Sequence, residues 1–232
     1  MDPIYKNQVE TARITGIFYL LLAITGMLGF MILHPKIYVA DPAITLENLT
    51  SKESIARARL VFELLIIVSQ ALTAVWFYKL FKDINGWVAW ALAIWGMMNS
   101  AMIMVSAISM GASLEVASSI QSIEDKVILI NLLGLLMKNA WGVGSLFFGL
   151  WLIPMGYIIV SSNRMPRWLG FTLIIGGMGY LLSTFLKYAG ITSILVDILV
   201  IPATVGEFWI VGYLLFYGIR TSNENIDFTK NG

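Results

Sequence analysis

The sequence predicts an all-α fold: a polytopic membrane helix bundle of six transmembrane helices, with a short extra helix before the fourth span. Two observations lead to this prediction. Six stretches of the chain are long and apolar enough to cross a bilayer, and only 12% of the residues are charged while 58% are hydrophobic. A soluble domain has about a quarter of its residues charged, because its surface faces water. An exterior that faces lipid needs no such polar cover.

Each predicted span satisfies a length requirement. A helix rises about 1.5 Å per residue, so crossing a hydrocarbon core about 30 Å thick takes about 20 apolar residues. The runs that meet this length are residues 14–33, 60–81, 87–112, 134–160, 168–188 and 194–219. They are continuously apolar rather than alternating, which is typical of spanning helices and not of barrel strands. We expect the first run to be a retained span, because no small-residue cleavage site follows it.

The connections between the spans carry turn and helix-start signals. Residues 83–86 predict a tight turn before the third span, and Pro166 is placed to begin the fifth helix. Thr50 followed by Glu53 is a capping-box pattern, so the second helix is expected to begin near residue 51.

A second capping box precedes the fourth span, where Ser122 is followed by Asp125. A single helix from this point to residue 160 would be about 58 Å long, which exceeds the bilayer thickness. We therefore expect a separate short helix at about residues 123–136. Further along, the glycines in residues 176–179 predict close packing between helices.

The expected organisation is a single transmembrane domain over residues 1–220, followed by a polar, disordered tail over residues 221–232. Lysine and arginine set the orientation, because they concentrate on the cytoplasmic side of a membrane. The short inner loops consistently carry basic residues if both termini are cytoplasmic. The opposite side then holds Lys36, Lys52, Arg57, Arg59 and Lys126. The predicted location is the cell membrane of a bacterium, the inner or plasma membrane.

Glycine and aromatic residues punctuate the second half of the chain in a recognisable pattern. It consists of FFGLWLIPMGY at 147–157, RMPRWLG at 164–170 and GGMGYLL at 176–182, with a related signature at residues 11–16. This pattern resembles an uncharacterised bacterial integral membrane family, the domain of unknown function 4386, over nearly the whole chain. The resemblance implies about six helices in a bacterial membrane, and it implies no activity.

Polar residues inside the predicted spans are the candidate ligand-binding residues. Polar groups at bilayer depth cost free energy, so their presence there indicates a functional or structural role. They are Glu63, Gln70, Asn99, Lys138, Asn139, Tyr180 and Glu207. We expect them to line a polar cavity open to the outer side, with Asn99 and Glu207 near its floor. The alternative interpretation is that they only fix the bundle through interhelical contacts. Lys187 lies at the end of the fifth span and Asp197 at the start of the sixth. We expect them to form an ion pair at the outer side.

Several chemistries are unavailable to this sequence. It has no cysteine and one histidine, His34, which is expected in a loop beside Pro35. These counts exclude thiolate metal sites, a two-histidine zinc site and a serine–histidine–aspartate triad in the membrane. The net charge of +1 does not indicate a nucleic-acid partner. We expect no catalytic residue, no metal and no cofactor.

Three functions follow from these features, in decreasing order of preference. The first is binding or transport of a small amphiphile, lipid or ion through the polar cavity. The second is a structural or regulatory partnership with another membrane protein or with further copies of this chain. A face of small residues pointing to lipid on the third or fifth span would favour this second function. The third is a membrane enzyme that uses intramembrane carboxylates as acid and base.

Overall fold

The computed structural model describes residues 3–220, so the predicted disordered tail lies outside the described residues. The described chain is helical and contains no strand. It runs through α1 (Pro3–Met27), a π-helical segment (Leu28–Leu33), α2 (His34–Ile37), α3 (Pro42–Ser51), α4 (Glu53–Phe81), α5 (Gly86–Ser118), α6 (Ile123–Ser162), α7 (Arg167–Tyr188), α8 (Ile194–Ile198) and α9 (Ile201–Phe216).

Six helical segments are long and apolar enough to cross a membrane, which confirms the predicted fold class. They are Lys6–Ile37, Glu53–Phe81, Gly86–Ser118, Ile123–Ser162, Arg167–Tyr188 and Ile194–Phe216. Large apolar side chains such as Met31, Ile108 and Phe216 are more than 70% exposed on these segments. A helix bundle with such an exterior is solvated by lipid rather than by water.

The prediction of a separate short helix before the fourth span is wrong. The structure has one continuous helix of 40 residues, α6, from Ile123 to Ser162. The Ser122 side chain caps its start: Ser122 Oγ accepts the Asp125 N–H at 3.2 Å, and the Ser122 hydroxyl donates to Asp125 Oδ2 at 2.6 Å. At 1.5 Å per residue α6 is about 60 Å long. Helical hydrogen bonds are satisfied within the helix in water as well as in lipid, so bilayer thickness sets no upper limit on its length.

The expected start of the second helix is also displaced. Thr50 lies in the last turn of α3, where its hydroxyl donates to the carbonyl oxygens of Leu46 and Glu47 at 3.2 and 2.9 Å. A hydroxyl used in this way does not cap the next helix. The α3 helix ends at Ser51, and α4 begins at Glu53.

The described residues group into two compact units. The first unit contains those of Met1–Leu20, Leu72–Met97 and Ser145–Gly232, and the second unit consists of Leu21–Ala71 and Met98–Gly144. Four helices contribute residues to both units: α1, α4, α5 and α6.

In the first unit, glycines allow α7 to approach its neighbours closely. A Cβ atom added at Gly149 would lie 2.7 Å from the Gly177 carbonyl oxygen, and one added at Gly170 would lie 2.7 Å from that of Gly156. Gly176 packs in the same way against the backbone of Ala203. These α7 glycines are buried, so the small-residue face of the fifth span is used inside the unit rather than presented to lipid.

In the second unit, a small apolar core joins the helix ends that surround the cavity described below. The core consists of Ile37, Leu49, Ala56, Leu114, Ala117 and Ile130, all buried. The α3 helix is positioned by Asp41, whose side chain accepts the Ala43 N–H at 2.8 Å, and by Pro42 in its first turn. This N-cap satisfies a backbone donor that the helix itself leaves unpaired.

Candidate functional site

A partly open cavity of about 550 Å³ lies in the second unit. Residues from the π-helical segment through Thr45 form one of its walls, and one face of α6 from Ile130 to Trp141 forms the other. The wall residues on α6 recur every three or four positions, so they lie on a single side of that helix. Two of the predicted site residues belong to this unit and are close to the cavity: Lys138 lines it, and Glu63 contacts Trp141, which also lines it.

The side of the cavity contributed by the first span is aromatic. The rings of Phe30, His34 and Tyr38 follow one another at a spacing of four residues and are stacked, with centroid distances of 5.4 and 5.0 Å. Phe30 also meets the ring of Trp141 edge to face at 4.3 Å. Burial raises the pKa of the Tyr38 hydroxyl well above its ordinary value, so this group remains a neutral hydrogen-bond donor.

His34 lies in this aromatic wall, and the expectation that it would lie in a loop is wrong. The first span continues as helix through Ile37, and Pro35 lies at the start of α2, directly after the π-helical segment. The Nδ1 atom of His34 is buried and has no hydrogen-bond partner within residues 3–220. His34 therefore contributes its ring to the cavity wall, while its Nδ1 atom is buried within that wall.

An ion pair lies directly behind this wall. Arg59 Nη1 donates to Glu63 Oε2 at 2.7 Å, one turn apart on α4, and both side chains are 0% exposed. The other carboxylate oxygen of Glu63 accepts the Trp141 indole N–H at 2.9 Å. The same N–H lies 3.1 Å from Ser106 Oγ. Glu63 is thus held by neighbours on α4 and α6 rather than directed into the cavity.

Lys138 is the cation that the cavity presents. It is exposed, lines the cavity, and forms no hydrogen bond or ion pair with any described residue. The neighbouring Asn139 is exposed and donates to the Leu135 carbonyl oxygen at 2.8 Å. An unpaired ammonium beside aromatic rings can bind an anionic group and the apolar chain attached to it.

The remaining predicted residues of the second unit are buried deeper along the helices. Gln70 is fully buried on α4, and Asn99 is 1% exposed on α5. Neither amide atom of Asn99 has a hydrogen-bond partner in the described part of the chain. Its Oδ1 lies 3.3 Å from where a Cβ on Gly144 would be, so Gly144 makes the space for this side chain.

Glu207 and Tyr180 belong to the first unit. The Tyr19 hydroxyl donates to Glu207 Oε1 at 2.7 Å, and Tyr180 is close enough to Glu207 for an electrostatic interaction. Tyr19 is held in place by edge-to-face contacts with Phe77 and Trp151, at 5.7 and 5.3 Å between centroids. Glu207 forms no ion pair with a described residue.

The last two predicted residues also lie in the first unit. Lys187 Nζ, at the end of α7, is 2.7 Å from Asp197 Oδ1 in α8, and both side chains are about half exposed. Exposed ion pairs contribute about 0–1 kcal/mol, because solvent screens the charges. Among the described residues, no group of three histidine, cysteine, aspartate or glutamate side chains could hold a metal ion.

Sequence reasoning missed four residues of these networks: Arg59, Trp141, His34 and Tyr19. Arg59 lies just before the apolar run and was counted with the basic residues outside the membrane. Its spacing of four from Glu63 was the available signal, because residues one turn apart share a helix face. Trp141 is one of 8 tryptophans, and nothing in the sequence separates it from the others.

Comparisons with known proteins give a family but no activity. The chain is similar to an uncharacterised protein of Archaeoglobus fulgidus, with 35% identity over 48 residues. That match covers 21% of this chain and 30% of the relative. No solved structure matches the chain. The model of a family described as "Domain of unknown function (DUF4386)" matches residues 14–218, and the chain is therefore a member of that family.

Proposed function

We propose that this multi-pass membrane protein binds a small amphiphile with an anionic head group in the cavity of the second unit. The observation that carries the proposal is Lys138, a cation without a carboxylate partner among the described residues, in a cavity whose opposite wall is aromatic. An anionic head would pair with the ammonium, and the attached chain would contact the rings.

Charge supports an anionic rather than a cationic ligand. Glu63 is the predicted site residue that would favour a cation, but its carboxylate is neutralised by Arg59 and bonded to Trp141. Together, Lys138, Arg59 and Glu63 carry a net charge of +1. A monoanion balances this charge, whereas a cationic ligand would increase it.

The size and lining of the cavity support a small amphiphile. A volume of about 550 Å³ falls within the range of about 300–1,000 Å³ that is typical of small-molecule sites. Such sites are mostly apolar with a few polar groups that orient the ligand, and here the polar groups include Lys138, Tyr38 and Asn131. Transport would require this binding as its first step.

Removing the Lys138 charge tests the proposal. The protein is reconstituted in nanodiscs of zwitterionic lipid, and binding of radiolabelled dodecanoate is measured at equilibrium. We expect Lys138→Gln to weaken dodecanoate binding about tenfold, equivalent to about 1.4 kcal/mol, because a charge-assisted contact is lost. Lys36→Gln removes the same charge from an exposed residue of the same unit that does not line the cavity, and it should bind as the unaltered chain does.

Two results would contradict the proposal. One is equal dodecanoate affinity in the Lys138→Gln variant and the unaltered chain. The other is competition by dodecyltrimethylammonium that is as effective as competition by unlabelled dodecanoate, since a cationic head cannot pair with an ammonium.

The membrane placement that accompanies this function is also proposed. We place the protein in the cell membrane with both termini in the cytoplasm, on the distribution of lysine and arginine in the short loops. The cavity would then open toward the outer side. Partnership with another membrane protein or further copies of this chain stays a prediction, as does enzymatic use of the intramembrane carboxylates.

A further inference from the structure

Arg59 has more hydrogen-bonding capacity than its surroundings use. The side chain is 0% exposed, and Nη1 donates to Glu63. The other two guanidinium nitrogens, Nε and Nη2, are buried and have no hydrogen-bond partner within residues 3–220. A buried polar group without a partner costs about 1–3 kcal/mol, and more if it is charged. A purely structural arginine would be expected to pair these groups.

The two unpaired nitrogens form one edge of the guanidinium group. Their N–H bonds point in nearly parallel directions at the spacing of two oxygens on one carboxylate or phosphate. This bidentate geometry is the reason that arginine, rather than lysine, recognises planar oxyanions. Arg59 therefore presents an oxyanion-binding edge while its remaining nitrogen stays on Glu63.

The Arg59–Glu63 pair contacts two residues that line the cavity. Phe30 lines the cavity, and Arg59 Cζ lies 4.8 Å from the centroid of its ring. Trp141 lines the cavity as well and donates to Glu63, the partner of Arg59. Phe30 lies in the π-helical segment, an irregular backbone form that is frequent at functional sites.

We propose that the Nε–Nη2 edge of Arg59 is the oxyanion subsite of the cavity, and that its ligand is the carboxylate or phosphate head of an amphiphile. The Phe30 ring rotates aside to admit the head, while Lys138 holds the second charge contact at the cavity wall. This inference rests on the function proposed above, and it deepens that function by naming the group that is recognised and the residue that recognises it.

The subsite predicts opposite effects for the two members of the ion pair. Arg59→Lys keeps a cation beside Glu63 but removes the bidentate edge, so binding of an oxyanion should weaken. Glu63→Gln keeps a hydrogen-bond acceptor for Arg59 but removes the nearby negative charge, so binding of an oxyanion should strengthen. A purely structural ion pair would give a loss, or no change, in both variants.

The test measures binding of dodecanoate and of dodecyl phosphate in the same nanodiscs. We expect Arg59→Lys to bind both probes at least tenfold more weakly and Glu63→Gln to bind them at least threefold more tightly, with Lys36→Gln unchanged. Each exchange retains polar contacts in the pair, and size-exclusion profiles establish that the variants are folded. If one of the two variants cannot be purified in folded form, the change in affinity of the other still tests the subsite.

The outcomes separate this inference from the proposed function. Dodecanoate binding that depends on Lys138 but is unchanged in both Arg59→Lys and Glu63→Gln would overturn the subsite and leave the proposed function standing. No dodecanoate binding by the unaltered chain would overturn both. Displacement of dodecyl phosphate by inorganic phosphate alone would assign the edge to a free anion and overturn the assignment to an amphiphile head.

Discussion

Glu207 illustrates how one residue of the first unit depends on a distant partner. Its carboxyl group lies in a transmembrane segment, and the hydrogen bond it receives comes from Tyr19, 188 positions away in the chain. Tyr19 is itself fixed by the rings of Phe77 and Trp151. A carboxyl group in this setting needs a donor, because no water is available in the hydrocarbon core to replace one.

Removing this donor should destabilise the protein. We expect Tyr19→Phe to lower the free energy of unfolding by about 1–3 kcal/mol, because it leaves a part-buried acceptor without this donor. Thermal unfolding in detergent measures the change. Tyr217→Phe deletes the same atom from a side chain that is 72% exposed and should be neutral. Equal stability of the two variants would show that the Tyr19 hydroxyl contributes nothing to the fold.

The sequence predicts which residues are candidates for the site more readily than it predicts which residues they contact. Glu63 and Glu207 are visible in the sequence because acids are rare in apolar runs. That Glu63 would contact Trp141, or Glu207 Tyr19, depends on which helices become neighbours, and spacing along the chain does not contain that information. His34 was expected in a loop because the apolar run ends at residue 33, yet the helix continues to Ile37.

Among the helices, α7 depends most on glycines, whose lack of a side chain lets neighbouring backbones pack closely. Gly179 faces the connection between α8 and α9, and a Cβ atom there would overlap the carbonyl oxygen of Leu199. The obstacle is backbone rather than a flexible side chain, so it cannot move aside without shifting a helix.

A methyl group at this position should separate the helices. We expect Gly179→Ala to destabilise the protein by about 1–3 kcal/mol through overpacking, measured by thermal unfolding in detergent. Gly212 in α9 is the matched control, because a Cβ there meets nothing within 4 Å. Gly212→Ala should be neutral or stabilising by up to about 1 kcal/mol, since alanine favours helix. Equal losses in both variants would contradict the packing argument.

Hydropathy predicted which elements exist, but it did not predict where they end. Hydropathy reports whether a residue tolerates lipid, so it located all six spans. It does not report where a helix stops, because a helix can continue into water. The first span therefore extends to Ile37 instead of residue 33, and α6 begins at Ile123 instead of residue 134. The Ser122 cap marks the start of α6, whereas bilayer thickness does not limit the length of that helix.

For the whole molecule, the proposed orientation can be tested directly because the chain contains no cysteine. A single cysteine introduced at Asp83 or Gln121, both exposed, is then the one labelling site. With both termini cytoplasmic, a membrane-impermeant maleimide should label Gln121→Cys in intact cells and Asp83→Cys only after permeabilisation. Labelling in the reverse order would invert the proposed topology and the side to which the cavity opens.

Both members of the buried ion pair lie on α4, one turn apart, and this arrangement affects how the chain enters a membrane. Inserting an isolated arginine or acidic side chain at the middle of a span costs about 2.5–3.5 kcal/mol on translocon scales. Because Arg59 and Glu63 can neutralise each other as soon as their own helix forms, α4 can partition into lipid before any neighbouring helix arrives. Later assembly then needs only to bring Trp141 to a carboxylate that is already in place.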